Sequence, residues 1–496
     1  MQIDQALAQQ NDQLPLMPLV TALLEYVRFN RDSWHVPGHR SSNDWPEWLK
    51  ESLLSLDVTE LPGTDDLNNP QGPAKQAMLL AAKAFGAGLT RFITSGTTTA
   101  LQIMLALCLE RGSRLLLPRC VHQAVINAAA LLDLELCWIL PGAGNNNRTE
   151  FGLLPQITAE DVELALQRHS GCRAVLLTYP DYYGNCVDFQ AIESVVHRHG
   201  CLLLADEAHG AHLAFGQGCL PVSALQAGAD ACVQSGHKTL PVLTPGSYLH
   251  IGRKALLATK IDPADLDRLI PVFQTSSPSF PVAATLDYAR AWLQAEGTFW
   301  IQQQINNLES FASRLPPLLN SSSTLATCRD PLRLILTGQP DSPIGFPARQ
   351  IAEQLGREGI DIEFADLTRL VLIPSLRQPE AAWQHLADAL HKADFSGGTA
   401  KALELDREWQ YWLSAPPEAA LTAGDAALGR HSRQLVPLAE SAGRICARSV
   451  LPYPPGIPLL VPGERIDRDR VDFIRQLMEN EISISGVTQE NILVLT

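Results

Sequence analysis

Ala229–His250 reads ADACVQSGHKTLPVLTPGSYLH. The apolar run Ala231-Cys232-Val233 predicts a short buried strand, which ends in Ser235-Gly236-His237-Lys238. Lysine is rarely buried without a partner. A lysine leaving a core strand on a Ser-Gly turn is therefore either an exposed loop charge or a group with chemistry to do. One such chemistry is a Schiff base with an aldehyde cofactor. The tetrapeptide alone leaves both readings open, and the residues upstream change the balance.

Upstream, Arg91–Thr94 reads as a strand, Ser95-Gly96-Thr97-Thr98-Thr99 as a turn, and the run to about Glu110 as a helix with Leu101, Leu105 and Cys108 on one face. A glycine-containing, hydroxyl-rich turn at a helix start offers free N–H groups and the positive end of the helix dipole to an anion. Ordinary capping by Thr97 or Thr98 is the competing reading. Arg114–Leu117 is the next strand and ends in Pro118-Arg119-Cys120-Val121-His122. Thr158-x-x-Asp161 resembles a capping box. Ala174–Thr178 is a strand, Tyr179–Gly184 (YPDYYG) a turn, and Phe189–His199 a helix closed by Gly200. Cys201–Ala205 is a strand delivering Asp206-Glu207-Ala208-His209-Gly210. Strands alternating with helices build a parallel sheet whose ligands bind at the C-terminal strand edge. Ser95–Thr98, His122, Asp206–His209 and Ser235–Lys238 all follow strands, so they can converge.

Outside this core, Leu19–Phe29 is an amphipathic helix candidate, Trp34–Arg40 a loop with two histidines, and Asp57–Pro73 a long polar loop. Beyond Leu256, Leu332–Thr337, Pro347–Glu358, Ile360–Phe364, Leu370–Ile373 and Glu380–Lys392 form a second α/β unit. Tyr453–Glu464 is a stiff Pro-rich segment, and a helix covers about 467–480. The division expected is 1–73 (N-terminal segment), 74–300 (large domain), 301–395 (small α/β domain) and 396–496 (C-terminal domain).

A hydrophobic content of 46% with 18% charged residues fits a globular enzyme-sized chain. The net charge of −15 argues against a general binder of nucleic acid or anionic membranes. The ten cysteines contain no C-x-x-C pair, so no zinc or other metal site is read, and several lie in apolar runs, as in a reducing compartment. The N-terminus shows no signal-peptide pattern, and no apolar run reaches membrane-spanning length. The expected location is the cytoplasm.

Asp206, at the end of a buried strand, can pair with a protonated pyridine nitrogen. With Lys238 for an aldehyde and the Gly96–Thr98 turn for a phosphate, the trio describes pyridoxal 5'-phosphate. His122 could stack on the ring or shuttle protons. Asp206–His209 also spells a DEAH helicase box, but that reading needs a phosphate loop ending in Gly-Lys, and the chain has no Gly-Lys pair. The bland alternative is a buried Asp and His satisfying loops.

Eight motifs carry a resemblance to the fold-type-I pyridoxal-phosphate decarboxylases of ornithine, lysine and arginine. They are HVPGHR (35–40), TELPGTDDLNNPQGP (59–73), SGTTTA (95–100), PRCVH (118–122), DEAHGAH (206–212), SGHKTLPVLTPG (235–246), TSSPSF (275–280) and YPPGIPLLVPGE (453–464), in family order. The resemblance implies an aspartate-aminotransferase-like α/β large domain with a parallel-rich sheet, plus a smaller α/β C-terminal region. It implies decarboxylation of a basic L-amino acid, in a short form without the N-terminal receiver-like domain. By resemblance, Lys238 is the Schiff-base lysine, Asp206 pairs with the ring nitrogen, and His122 stacks on the ring. Thr97, Thr98, Ser235 and His237 look like phosphate ligands, with His237 also near the reacting carbon, and His209 belongs to the cofactor set. Thr275 or Ser276 resembles the residue that reaches a neighbouring subunit's phosphate, which implies a homodimer with shared sites. Glu464 resembles the acid near the substrate's distal cation. Arg40, Asn68 or Asn69, Gly236 and Pro245 depart from the family pattern, where lysine, histidine, threonine and glutamine are common, and they bear on substrate identity. DEAHG also resembles α-oxoamine synthases and related aldolases, and a silent binding protein on the same fold is the rival from another class.

Overall fold

The computed structural model describes residues 17–29, 31–40, 45–142, 154–321, 329–339, 342, 345–453 and 455–496. The N-terminal dodecapeptide read above for a signal sequence lies outside these residues. Strand β1 (Asp32–Trp34) precedes the central sheet of β2 (Ala87–Ile93), β3 (Arg114–Pro118), β4 (Glu135–Ile139), β5 (Cys172–Thr178), β6 (Leu202–Asp206), β7 (Ala231–Ser235) and β8 (Ser247–Gly252). The order is β2-β8-β7-β6-β5-β3-β4. Five strands, from β7 to β4, run parallel. Strand β8 runs antiparallel to both neighbours, β2 and β7. A wholly parallel sheet fails here for a simple reason. Gly236–Gly246 is shorter than the dozen or so residues a parallel crossover needs, so the chain after Lys238 must turn straight back.

The sheet is buried on both faces. Met78, Phe85, Phe92, Tyr248 and Leu286 pack on one side. Ile93, Leu101, Leu105, Leu117, Val233 and Leu249 pack on the other. This double covering explains why the strands read as continuous apolar runs rather than alternating ones. The capping box of Thr158 and Asp161 forms as read.

The second unit holds β9 (Leu319–Ser321), β10 (Leu334–Gly338), β11 (Ile360–Ile362), β12 (Phe364–Ala365) and β13 (Arg369–Leu372). Four of them form an antiparallel sheet in the order β12-β13-β10-β9. Strand β1 pairs in parallel with β11, so the N-terminal segment is a structural partner of this unit. Trp34 and Trp383 meet edge to face at 4.7 Å in its core. Helices Ala400–Ser414 and Arg468–Glu479 and the pair Arg433–Pro437 with Asn491–Leu495 follow. Among the described residues no helix is long and apolar enough to cross a membrane, and the described cysteines are free thiols.

The HVPGHR loop backs the lysine turn. Gly38 N donates to His237 O at 2.7 Å, and Trp45 Nε1 donates to Pro241 O at 2.8 Å. A Cβ at Gly38 would stand 2.6 Å from Leu240 O. Arg40, buried, holds the same loop by donating to Pro37 O at 3.2 Å and to Ile373 O. We expect Gly38→Ala to lower stability by about 1–3 kcal/mol, as overpacking against backbone does. Thermal and denaturant unfolding measure it; a wild-type midpoint contradicts the tight seating of the loop.

Candidate active site

The strand ends meet in a cleft of about 360 Å3 whose lining includes Ser95, Thr97, Thr98, His122, Asp206, His209, Ser235, His237 and Lys238. Sequence spacing alone puts Thr97 and Lys238 far apart; the parallel sheet brings them to one edge.

Helix Thr97–Cys108 starts at Gly96, whose φ of +89° favours glycine, and no side chain caps it. Thr97 is not a cap. Its Oγ1 bonds with Ser235 Oγ and, at 2.6 Å, with Ser247 Oγ. Ser95 Oγ is buried with no hydrogen-bond partner among the described residues, and Thr98 is exposed. An uncapped helix start beside an orphaned hydroxyl fits a phosphate.

Asp206 is 3% exposed, and Ala208 N donates to it at 3.2 Å. Burial pushes its pKa up while Lys238 draws it down. Among the described residues no cation pairs with it at contact distance, which fits a pyridine nitrogen that keeps its proton. Burial pushes the Lys238 amine down to about 8, against the pull of Asp206, with Arg333 lowering and Glu363 raising it. Lys238 Nζ lies 2.9 Å from His209 Nε2. His237 Nδ1 donates to Gly246 O at 3.0 Å, and burial pushes its pKa down to about 4, so its Nε2 is a bare acceptor. His122 caps helix Gln123–Leu131, its Nδ1 accepting from Ala124 N at 3.1 Å. Gln123 N donates to Gly456 O at 3.2 Å, so the Pro-rich segment reaches this wall. These donors, acceptors and the amine fit pyridoxal phosphate.

Three residues of the expected set, Thr275, Ser276 and Glu464, lie outside this cleft lining. Thr275 and Ser276 are exposed and outside the cleft lining. Asn68 holds their loop: its Nδ2 donates to Thr275 O at 3.0 Å, and Gln274 Nε2 donates to its Oδ1 at 2.7 Å. Asn69 is exposed. Glu464 is 1% exposed but committed to Arg119, whose Nη2 donates to Oε2 at 2.8 Å and Nη1 to Oε1. Val461 N donates to it as well, at 2.8 Å. Its carboxylate is spent inside the protein and does not line the cleft. Gly236 is tightly enclosed, with Leu286 Cδ2 2.9 Å from where a Cβ would stand, and Pro245 lines the cleft against Gly96.

Besides Asp206, the cleft lining holds the carboxylate of Glu363. Tyr182 donates to its Oε1 at 3.0 Å and Val36 N to its Oε2 at 2.8 Å. It sits between β11 and β12, in no motif, and no local pattern marks it in the sequence.

Residues 17–327 match the major domain of the Orn/Lys/Arg decarboxylases, and residues 409–491 match their C-terminal domain. The chain belongs to the Orn/Lys/Arg decarboxylase family. An arginine decarboxylase of Bacillus anthracis is 30% identical over 95% of this chain and 94% of its own length. One of Bacillus cereus is 31% identical over 90% and 96%. Lysine decarboxylase A from Pseudomonas aeruginosa shares the fold, with a TM-score of 0.78 at 20% identity over 97% of this chain and 80% of that one. L-threonine transaldolase from Pseudomonas fluorescens aligns at a TM-score of 0.57 and 18% identity over 83% and 93%. The aspartate-aminotransferase-like, fold-type-I architecture therefore stands.

In this family member the Arg119–Glu464 pair is a buried tie. Glu464→Ala strands the guanidinium and should cost about 3–5 kcal/mol. Denaturant unfolding measures it; a loss under about 1 kcal/mol, with substrate binding abolished, contradicts the structural assignment.

Proposed function

We propose that the chain decarboxylates a basic L-amino acid (arginine, lysine or ornithine) to its amine and carbon dioxide. The observation that carries this reading is the convergence of Lys238, Asp206, the uncapped helix start and Glu363 on one cleft. Pyridoxal phosphate, when bound, supplies an electron sink for the pair left behind by departing carbon dioxide. Lys238 would hold its aldehyde carbon, Asp206 would keep the ring nitrogen protonated, and Thr97, Thr98, Ser235 and His237, joined by Ser95, would hold the phosphate. His209, 2.9 Å from the Lys238 amine, would stand by the aldehyde, and His122, in the cleft wall, would stack on the ring. His237 Nε2 or the Lys238 amine returns a proton to Cα. The cleft has two lining carboxylates among the described residues, Asp206 and Glu363; with Asp206 engaged by the ring nitrogen, Glu363 would be left for the substrate's distal cation. Arginine is the first substrate to test, because relatives near 30% identity carry that name. An α-oxoamine-synthase-like or aldolase reaction would instead require an acyl-CoA or an aldehyde co-substrate, and a silent binder would hold cofactor without turnover.

We further propose a homodimer in which Ser276 of one copy would serve the phosphate of the other. Exposure of that loop supports it, as do the exposed apolar side chains of Leu19, Leu23 and Val27 on helix Pro18–Arg28. The cytoplasm is the proposed location, supported by the free thiols.

Borohydride reduction in the presence of pyridoxal phosphate should fix the cofactor on the peptide carrying Lys238. Glu363→Gln should raise KM for the basic substrate about tenfold or more, the worth of one charge-assisted contact, with cofactor binding retained. Label on another lysine, or an unchanged KM, overturns the corresponding assignment.

A further inference from the structure

Arg333 stands immediately before β10 and is 1% exposed. Its Nη2 lies 2.7 Å from His209 Nδ1, and His209 Nε2 lies 2.9 Å from Lys238 Nζ. A guanidinium has N–H donors and no acceptor, so Nδ1 must accept. A neutral imidazole that accepts at Nδ1 carries its proton on Nε2. Nε2–H then donates, and Nζ must offer a lone pair. An ammonium in the same place would set N–H against N–H. The line is therefore satisfied from end to end only when Lys238 is an uncharged amine.

We propose that Arg333 is a positioning residue that fixes His209 in the Nε2–H tautomer and so shifts Lys238 toward the free-amine form that attacks the aldehyde cofactor. The inference rests on the reading that Lys238 receives that cofactor. In the condensation the amine lone pair forms the C–N bond, and the carbonyl oxygen leaves as water with the two amine protons. An ammonium cannot begin it.

The surroundings are built around this arginine. Gly184, with φ of +87°, ends the YPDYYG turn, and a Cβ there would stand 2.6 Å from Arg333 Cβ. Asp330 N donates to Gly184 O at 2.8 Å, Arg329 Nη1 donates to Asn185 Oδ1 at 3.2 Å, and Arg329 Nη2 donates to Tyr183 O. The segment ahead of β10 is thus clamped to the turn, and the arginine passes through the space that glycine leaves. The Tyr182 ring stands edge-on to His209 at 4.8 Å. Burial, Lys238 and Arg333 hold His209 well below the usual imidazole range, hence neutral. Lys238 itself is faced by Asp206, His122, His237 and Glu363. The two carboxylates favour the ammonium; burial and Arg333 oppose it.

The test uses the full chain freed of cofactor, mixed with pyridoxal phosphate across a pH series while the visible Schiff-base band is followed. Removing the cation and the tautomer lock raises the amine pKa, so less free amine is present at a given pH. Arg333→Met should move the rate profile up by about one pH unit, about a tenfold slower capture near neutrality. Arg333→Lys, which keeps a charged donor, should stay near the wild type. An unshifted profile in a folded Arg333→Met chain overturns the inference. Should that variant fail to fold, 15N NMR of wild-type His209 decides: a Nε2–H tautomer supports the inference and a Nδ1–H tautomer overturns it. Failure of the wild type to capture cofactor at Lys238 would instead strike the functional reading, and the tautomer measurement would stand apart from it.

Discussion

Everything in this site depends on two opposite charges being drawn from water at the ends of neighbouring strands. Asp206 ends β6 and Lys238 follows β7, and the two strands pair in parallel. Burial opposes both charges, pushing the carboxyl up and the amine down. Their mutual attraction works against that, without a contact ion pair to quench either one. The result is a carboxylate that wants a proton-bearing partner and an amine near the threshold of deprotonation. A cofactor with a pyridine nitrogen at one end and an aldehyde beside it meets both demands.

The large domain supplies the reactive pair, and the rest of the chain supplies its control. The N-terminal loop closes the back of the lysine turn through Gly38 and Trp45. The second unit delivers Arg333 from the start of β10 and Glu363 from between β11 and β12. The Pro-rich segment brings Gly456 against His122. Each contribution enters through a glycine or a turn, where a backbone can approach a side chain closely.

Much of the site was legible because each reactive group follows an apolar strand with a turn signal. Lys238, Asp206, Thr97 and His122 end or follow such strands, and all four line the cleft. Strand β8 is not legible in this way, since Ser247, His250 and Gly252 break the apolar run that marks its neighbours. Glu464 lies outside the cleft lining for a different reason. It ends a motif, but its charge is consumed by Arg119, which belongs to another motif more than three hundred residues earlier. A sequence shows that both are present and not that they neutralise each other. Glu363 and Arg333 carry no local signal at all. Their roles arise only from where the second unit docks, which no periodicity encodes.

The measurement that tests the account most directly is amine release by the purified full chain with pyridoxal phosphate, offered arginine, lysine and ornithine in parallel. The account predicts stoichiometric carbon dioxide and agmatine, cadaverine or putrescine from at least one of them. Cofactor demonstrably held at Lys238 with no amine from any of the three would contradict it.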